Sequence, residues 1–288
     1  MLVKQRLLHL HTALADHWGA IARLLRYDPE LAFLYNLSAQ ELSRILLISP
    51  KLSAFLFQHL HSPALTVVQS DLQRNNAFFL TIWDDDYPNL LREIPDPPFV
   101  LYGMGNRELL QHPRKIAVVG TRKPSSYGIS GIQSILAKLL QEDWLVVSGM
   151  AYGIDMVAHL AALQYDRSTI AVLGGGFNHI YPESNYKKLK TWNNVLLLSE
   201  YPPSWQPQRW RFPKRNRIVS GLSKGVIVAE AQSQSGSLIT ADCALDQNRE
   251  VFALPGPLSL KTATGTNHLI QQGAKLVMNA HDILEEFY

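Results

Sequence analysis

Lys115-Ile116-Ala117-Val118-Val119-Gly120-Thr121-Arg122 is the stretch that decides the fold of this chain. Four apolar residues in a row lead directly into a glycine, a hydroxyl side chain and a cation. A strand that is apolar on both faces is typical of a parallel sheet covered by helices on both sides. Apolar residues at helical spacing then follow between Ile132 and Leu140. The stretch therefore predicts a strand, a glycine loop and a helix, which form the repeating unit of α/β proteins.

Short apolar runs of the same kind recur after this first strand, and stretches with helical spacing separate them. The runs are Leu145-Val146-Val147, Ile170-Ala171-Val172-Leu173, Val195-Leu196-Leu197-Leu198, Val226-Ile227-Val228-Ala229 and Val251-Phe252-Ala253-Leu254. This alternation predicts an α/β fold with a doubly wound, mainly parallel sheet.

The composition is that of an ordinary folded protein. The chain has 288 residues, of which 47% are hydrophobic and 18% are charged, and its net charge is +3. This length suits one large domain and a small one, and the mild positive charge permits a polyanionic partner without requiring one. Cys243 is the only cysteine, which excludes a disulfide within the chain and a thiolate metal site. Because we find no signal sequence and no apolar run of membrane-spanning length, we expect a cytoplasmic protein without a membrane partner.

The sequence predicts three parts. Residues 1–68 contain leucines at helical spacing, a helix cap around Glu41 and two helices around Pro50, which indicates a small all-helical domain. Residues 69–112 carry loop signals around one short strand at residues 99–102, and we interpret them as a linker that packs on the core. Residues 113–288 form the predicted sheet domain.

Glycine and hydroxyl residues cluster at the ends of several predicted elements. Four loops have this composition: Gly120-Thr121-Arg122, Ser148-Gly149-Met150, Gly174-Gly175-Gly176 and Ser235-Gly236-Ser237. In a parallel sheet, ligands bind beyond the carboxyl ends of the strands, where helix N-termini offer N–H groups. A single such loop is often only a tight turn, but four on one edge predict a site for an anionic ligand.

Phe212-Pro213-Lys214-Arg215-Asn216-Arg217-Ile218 concentrates three cations and an amide between two apolar residues. On a helix, Lys214 and Arg217 share a face because they are three residues apart. Two cations that point the same way suit a row of phosphates. A basic helix end can also simply complement the helix dipole, so the pattern alone leaves both interpretations open.

No motif for catalysis or cofactor binding accompanies these loops. The residues after Gly120 lack the dinucleotide-binding spacing, and there is no Walker lysine motif. Asp155 lies near the start of a predicted helix, with His159 four residues later, so the two side chains could pair without any catalytic role. We find no nucleophile–base pair. The sequence therefore predicts no catalytic residue, no metal and no cofactor.

Six motifs follow one another along the second part of the chain. They are Gly120-Thr121-Arg122, Ser148-Gly149-Met150-Ala151-Tyr152-Gly153-Ile154-Asp155, Ala171-Val172-Leu173-Gly174-Gly175-Gly176, Ser199-Glu200-Tyr201-Pro202, the basic stretch at residues 212–218, and Ser235-Gly236-Ser237-Leu238-Ile239-Thr240-Ala241. Together they resemble the motifs of the DNA-processing protein A family (DprA, also called Smf), and the resemblance runs from about Trp83 to about Asp282.

The resemblance implies an extended Rossmann-like domain behind a small sterile-alpha-motif-like domain. It also implies a non-catalytic homodimer that binds single-stranded DNA in bacterial natural transformation, protects the incoming strand and loads the RecA recombinase on it. Many members carry a C-terminal winged-helix domain, which we do not expect here because the sequence ends at Tyr288.

The loops, the basic stretch and the resemblance together select a set of candidate residues. The predicted DNA-binding residues are Gly120, Thr121, Arg122, Ser148, Gly149, Gly153, Gly174, Gly175, Phe212, Lys214, Arg215, Asn216, Arg217, Ser235, Gly236, Ser237 and Thr240. Phe212, Tyr152 and Trp210 are candidates for stacking on a base, although core packing explains any one of them as well. The resemblance further places a dimer or partner contact at His268, Leu269 and Ile270.

Two other functions compete with strand binding. The sheet also resembles that of the phosphoribohydrolases that activate cytokinins, which would make the chain a nucleotide-processing enzyme. Those enzymes carry a catalytic glutamate in a glycine-rich run, and the corresponding loop at residues 234–241 has none. A scaffold that only binds a protein partner is the third interpretation, but it gives no reason for glycines and cations to converge on one edge.

Overall fold

The computed structural model describes residues 2–288 and contains a single nine-stranded sheet. The strands are β1 (Ala77–Thr81), β2 (Val100–Gly105), β3 (Lys115–Val119), β4 (Leu145–Ser148), β5 (Thr169–Leu173), β6 (Val195–Ser199), β7 (Gly225–Val228), β8 (Glu250–Ala253) and β9 (Lys275–Leu276). Their order across the sheet is β1-β2-β6-β5-β4-β3-β7-β8-β9. All pairs from β6 to β9 are parallel, so the predicted mainly parallel α/β sheet is confirmed.

The strand order reverses direction once, between β3 and β7. From β3 the chain adds β4, β5 and β6 on one side, then returns and adds β7, β8 and β9 on the other. Val119 pairs with Val228 at the carboxyl ends of the two strands where this reversal occurs. Loops that leave neighbouring strands in opposite directions open a crevice between them, and this is where doubly wound sheets bind ligands.

Helices cover both faces of the sheet. The short helix α6 (Asn89–Arg92) lies between β1 and β2. The helices after β2 are α7 (Ser126–Gln141), α8 (Ile154–Gln164), α9 (Glu183–Leu189), α10 (Arg211–Gly221), α11 (Gly236–Asp246), α12 (Thr264–Gln271) and α13 (His281–Leu284). One face packs against α10 and α11, and the other packs against α7 and α8. Burial on both faces is the reason that the strands are apolar throughout.

Five helices precede the sheet: α1 (Val3–Leu14), α2 (Trp18–Tyr27), α3 (Ala39–Leu46), α4 (Pro50–Leu60) and α5 (Ala64–Arg74). The predicted cap is present, because Ser38 and Glu41 form a reciprocal capping box at the start of α3. Pro50 begins α4, where its missing N–H costs nothing. The boundary predicted at residue 68 falls inside α5.

The segment interpreted as a linker contributes two strands to the sheet. β1 and β2 pair antiparallel with each other, and β2 pairs antiparallel with β6. The sequence predicted a strand at residues 99–102 but none at Ala77–Thr81, because a run of only four apolar residues resembles a helix segment equally well. This hairpin completes the sheet on the side where the N-terminal helices pack.

The N-terminal helices share a hydrophobic core with one end of the sheet. Leu10 and Leu14 belong to the same buried cluster as Val100 and Tyr102 of β2. A buried hydrogen bond of 3.1 Å joins His11 Nδ1 to the Tyr102 hydroxyl across this contact. No helix in residues 2–288 is long and apolar enough to cross a bilayer.

Lys115 is a buried cation at the start of β3. Its Nζ donates to the carbonyl oxygens of Leu110, at 2.9 Å, and His112, at 2.6 Å. Burial, with a contribution from the nearby Lys224 charge, lowers the pKa of Lys115 from 10.5 to about 8. The folded protein therefore binds this proton more weakly than the unfolded chain does.

This difference predicts a pH dependence of stability. Between about pH 8 and pH 10.5 the unfolded chain holds a proton that the folded protein has released, so stability rises with pH in that window. We expect the free energy of unfolding of the unsubstituted protein to increase with pH relative to that of Lys115→Met, measured by urea denaturation. A difference between the two proteins that stays constant from pH 8 to pH 10.5 would contradict the buried-cation account.

Candidate functional site

A cleft of about 430 Å³ opens at the reversal between β3 and β7. Loops and helix ends from several elements line it: Val119, Gly120, Thr121, Arg122, Lys123, Ala151, Asp155, Phe212, Pro213, Arg215, Asn216, Gln232, Gln234, Ser235, Gly236, Ser237, Thr240 and Thr262. Ten of the predicted DNA-binding residues are among them: Gly120, Thr121, Arg122, Phe212, Arg215, Asn216, Ser235, Gly236, Ser237 and Thr240. The structure thus brings residues from two of the four predicted loops and the basic stretch to one place.

The loops after β3 and β4 interlock at the floor of the cleft. Gly153 has a φ of +80°, and a Cβ there would lie 2.2 Å from the Thr121 carbonyl oxygen. The N–H of Ile154 donates to that same carbonyl at 3.2 Å. A side chain at position 153 would therefore push the two loops apart. Gly153 shapes the cleft from behind instead of lining it.

The start of α11 forms one wall of the cleft and presents backbone N–H groups. Ser235 caps this helix by accepting from the N–H of Ser237. A Cβ built at Gly236 has no neighbour within 4 Å, so space lies open in front of the first turn. Asn216 on α10 donates to the Gly236 carbonyl at 3.2 Å and holds the two helices together. The N–H of Leu238 also has a partner, because it donates to the Ser235 carbonyl at 3.0 Å. The helix start nevertheless faces open space, and the positive end of the helix dipole attracts an anion there.

Three cations surround this wall. Arg122 and Lys123 are exposed on the loop after β3, whereas Arg215 is buried beneath the cleft. Arg215 donates to the Val172 carbonyl, which fixes its guanidinium against the floor. Burial lowers the pKa of Arg215, and the neighbouring carboxylate of Asp155 acts in the opposite direction. The exposed cations are therefore at the rim, and the buried one is inside.

Asp155 is the carboxylate in the cleft wall. It accepts from the N–H groups of Gly149, at 3.1 Å, and Ala151, at 3.2 Å, which fixes the loop after β4. Burial raises the pKa of Asp155 despite the charge of Arg215 and these two donors. Asp155 does not pair with His159, because the His159 ring instead contacts the Thr169 hydroxyl at 2.7 Å in the core. Burial lowers the pKa of His159 to about 3, so this ring stays neutral.

Aromatic rings lie beside the mouth of the cleft. Phe212 lines it, and the exposed Tyr181 meets the Phe212 ring edge-on with the ring centres 5.9 Å apart. Tyr152 and Trp210 are also exposed, at 45% and 50%. Trp210 packs its ring against the guanidinium of Arg211, 5.0 Å from the ring centre. Of the three predicted stacking residues, Phe212 is the one in the cleft wall.

Several predicted glycines and Ser148 stand behind the cleft and allow close packing. The Ser148 hydroxyl is buried and donates to the Val118 carbonyl at 2.6 Å. A Cβ at Gly149 would lie 2.2 Å from the Arg215 guanidinium, and one at Gly174 would lie 2.8 Å from the Phe212 ring. Gly175 likewise faces the backbone of Pro207. These residues make room for other parts of the protein, which a sequence pattern cannot distinguish from making room for a phosphate.

Lys214 points away from the cleft. Its Nζ lies 3.4 Å from the carbonyl oxygens of both Ala15 and Asp16, in the turn between α1 and α2. It lines a separate groove between α10 and the N-terminal helices. The prediction that Lys214 and Arg217 point the same way to one row of phosphates is wrong, because Lys214 contacts the α1–α2 turn whereas Arg217 contacts Glu200 and Asp96.

Arg217 is a buried structural cation in this fold and does not reach the cleft. Its guanidinium donates to Glu200 at 2.7 Å and to Asp96 at 2.8 Å. Burial works against the charged form, but these two ion pairs outweigh it and raise the pKa of Arg217. The Glu200 carboxylate is itself only 2% exposed. The predicted role of Arg217 in DNA binding is therefore corrected to that of a partner for a buried carboxylate.

The three residues predicted to contact a partner differ in exposure. His268 is exposed on α12, and Ile270 is partly buried. Leu269 is only 6% exposed and belongs to the core cluster beneath α12. Its side chain is therefore not available to a second molecule without unfolding the helix, and an arginine at this position would disrupt the core.

Sequence reasoning missed part of the cleft. Lys123 follows Arg122 directly and is as exposed, so the basic pair was a usable signal. Gln232 and Gln234 precede the predicted loop at Ser235 but carry no charge or glycine that would have selected them, and only the three-dimensional path of the chain brings Thr262 here. Within residues 2–288, no group of three or more His, Cys, Asp or Glu side chains is placed to hold a metal ion.

The fold and the cleft define a Rossmann-like α/β protein with a cation-lined cleft at the strand reversal, preceded by a small helical domain. Residues 78–288 match the family described as DNA recombination-mediator protein A, and the chain belongs to this family.

Characterised relatives agree with this assignment. The DNA processing protein DprA of Bacillus subtilis is 45% identical over 225 residues, which are 78% of this chain and 76% of that protein. The X-ray structure of DNA processing protein A from Streptococcus pneumoniae superimposes with a TM-score of 0.85 at 37% identity, covering 99% of this chain and 98% of that one. DNA processing protein A from Helicobacter pylori, whose structure was studied for its single-stranded DNA binding mode, gives a TM-score of 0.66 at 32% identity, over 74% of this chain and 97% of that one.

The buried ion pair of Arg217 generates a stability prediction. Arg217→Ala leaves the Glu200 carboxylate buried without its partner, and we expect a loss of about 3–5 kcal/mol in the free energy of unfolding. The exposed Arg209, just before α10, provides the matched control, because Arg209→Ala should change stability by less than about 0.5 kcal/mol. Urea denaturation followed by circular dichroism measures both, and equal stabilities would contradict the structural role of Arg217.

Proposed function

We propose that this protein binds single-stranded DNA in the cleft between β3 and β7, without catalysis. The observation that carries the proposal is the open first turn of α11 beside the exposed cations Arg122 and Lys123. A phosphate at this position would receive N–H donors from the helix start and positive charge from the rim. Arg215 beneath the floor adds a fixed positive charge.

A single strand suits this arrangement better than a duplex. Proteins that hold single strands combine a positive groove for the phosphates with aromatic faces for the bases. Phe212 in the cleft wall and the exposed Tyr181 beside it supply such faces. The first turn of a helix and two loops can contact the sugar–phosphate backbone of a strand. None of them is an element that would enter a groove of duplex DNA. Binding should therefore show little sequence preference.

The relatives support the same proposal. The Helicobacter pylori protein, to which this chain is 32% identical, was studied for its single-stranded DNA binding mode. On the same footing we propose that the chain acts in natural transformation, protects incoming strands and loads the RecA recombinase in the cytoplasm. Faster assembly of RecA filaments on strands coated with single-strand binding protein would test the loading step, and an unchanged rate would contradict it.

The absence of catalysis is also a proposal, and the position of Asp155 supports it. Both N–H groups that bind this carboxylate hold it in the floor, where it fixes a loop. We therefore expect no release of free base when the purified protein is incubated with nucleoside monophosphates. Release of base would favour the nucleotide-processing enzyme instead.

The cations at the rim provide the direct test of strand binding. Arg122→Ala and Lys123→Ala should each weaken binding of single-stranded oligonucleotides, by about one to two decades if the contact is worth roughly 1.5–3 kcal/mol. Each lost phosphate contact should also reduce the slope of log affinity against log salt by about 0.7. Fluorescence anisotropy at several salt concentrations measures both quantities.

Lys138→Ala is the matched control for this titration, because Lys138 is an exposed cation paired with Glu142 at the far end of α7. Its affinity and salt slope should equal those of the unsubstituted protein. Unchanged binding in a folded Arg122→Ala, Lys123→Ala double variant would overturn the proposed site. Tighter binding to duplex than to single strands would overturn the proposed ligand.

We further propose that the protein forms a homodimer through the surface of α11 and α12 around His268. Ile239 on α11 is exposed and lines a hollow that also includes His268. A two-fold interface buries the same patch on both copies, so one substitution acts twice.

Ile239→Arg tests this interface. We expect it to give a folded monomer, because a charge at a buried contact has no partner across the two-fold axis. Leu245→Arg is the matched control, since Leu245 is also exposed on α11 but does not line the hollow that contains Ile239 and His268. Light scattering should report a dimer for the unsubstituted protein and for Leu245→Arg. A monomer in all three samples, or a dimer in all three, would contradict the proposed surface.

A further inference from the structure

A second groove lies beside α10, on the side opposite the cleft. It is formed by the α1–α2 turn, the α3–α4 turn and Lys214, and its volume is about 570 Å³. We call this the lateral groove. It is as large as the cleft and joins the N-terminal helices to the helix that forms the cleft wall.

The charge of the lateral groove is positive. Lys214 and Arg23 line it, together with Asp16. Asp16 is already paired with Arg211, at 2.7 Å, so its charge is offset within the protein. Arg23 uses its Nε to donate to the Leu46 carbonyl at 2.8 Å, which leaves its terminal nitrogens without a protein partner among residues 2–288. Two cations therefore remain to attract an anion.

The remaining wall of the groove is apolar. Leu47, which is 73% exposed, and Ile48 form it together with the ring of Trp18. That ring is fixed, because its Nε1 donates to the Pro97 carbonyl at 2.8 Å and its face stacks on Phe99 with the ring centres 5.2 Å apart. Cations beside a fixed apolar wall are the combination that holds a nucleic-acid single strand.

The lateral groove is continuous with the cleft through the first turns of α10. Phe212, Arg215 and Asn216 face the cleft, and Lys214 faces the lateral groove. Pro213 is exposed between them and lines the cleft. A nucleic-acid strand that leaves the cleft over Pro213 therefore reaches Lys214 at the next residue of α10.

We propose that a bound single strand continues from the cleft over α10 into the lateral groove, where Lys214 and Arg23 bind its phosphates. The N-terminal helices thus extend the binding site by several nucleotides. This inference rests on the proposed function, because it assigns a further stretch of the same ligand. It also gives Lys214 a nucleic-acid contact at a place that the sequence did not indicate.

The test compares two lengths of oligothymidylate by fluorescence anisotropy. A short one of about 5 nucleotides is close to the smallest sites of single-strand binders, and a long one of about 20 exceeds their usual range. Lys214→Ala and Arg23→Ala should each weaken binding of the long strand by at least about 5-fold and lower its salt slope by about 0.7. Binding of the short strand should stay within about 2-fold of the unsubstituted protein.

Controls separate this effect from folding and from dimerisation. Arg26→Ala removes an exposed cation from the same helix as Arg23 but outside the groove, and it should bind both strands normally. Lys214→Arg should restore binding of the long strand, because charge and reach are kept, whereas Lys214→Glu should weaken it further. Calorimetry and light scattering check that each variant has the melting temperature and the oligomeric state of the unsubstituted protein.

The outcomes distinguish a failure of the proposed function from a failure of the inference about the lateral groove. If the unsubstituted protein binds neither strand, the proposed function fails. If it binds both, and Lys214→Glu and Arg23→Ala bind the long strand like the unsubstituted protein, the lateral groove carries no nucleic acid and this inference is wrong. A loss that is equal for short and long strands would also overturn it, since the residues would then act on the cleft.

Discussion

The reversal of strand order between β3 and β7 is the constraint on which the rest of the structure depends. It separates the loop at Gly120 from the start of α11 and leaves the first turn of that helix facing open space. The positive end of the helix dipole lies at this point, so the fold itself favours an anion there. The loops after β3 and β4 can lie close enough to form a floor only because Gly153 has no side chain.

Helix α10 connects the separate parts of the molecule. Successive residues of a helix point about 100° apart, so the basic stretch distributes its cations in different directions. Arg215 supports the cleft, Lys214 faces the N-terminal helices, and Arg217 neutralises the buried Glu200. Arg211 adds an ion pair with Asp16. The same few residues therefore stabilise the sheet domain, attach the N-terminal helices and supply charge to a ligand.

The sequence predicted the architecture well because strands buried on both faces leave a strong signal. The cap at Ser38 and the start of α4 at Pro50 were also readable, since both depend on local chemistry. The edge strand Ala77–Thr81 was missed because a short apolar run cannot be assigned to a strand or a helix by periodicity alone. The loops at Gly120 and Ser235 were predicted correctly, but the directions of the Lys214 and Arg217 side chains were not. Whether Gly174 admits a phosphate or the Phe212 ring depends on where α10 packs, and that is a property of the tertiary structure.

The central claim is that a phosphate of a single strand occupies the mouth of the cleft at the start of α11. A crystal structure of the protein with a short oligothymidylate tests this most directly. The account predicts a phosphate oxygen at about 3 Å from an N–H group in the first turn of α11, with Arg122 or Lys123 beside it. A strand bound elsewhere on the surface, with these N–H groups left to water, would contradict it.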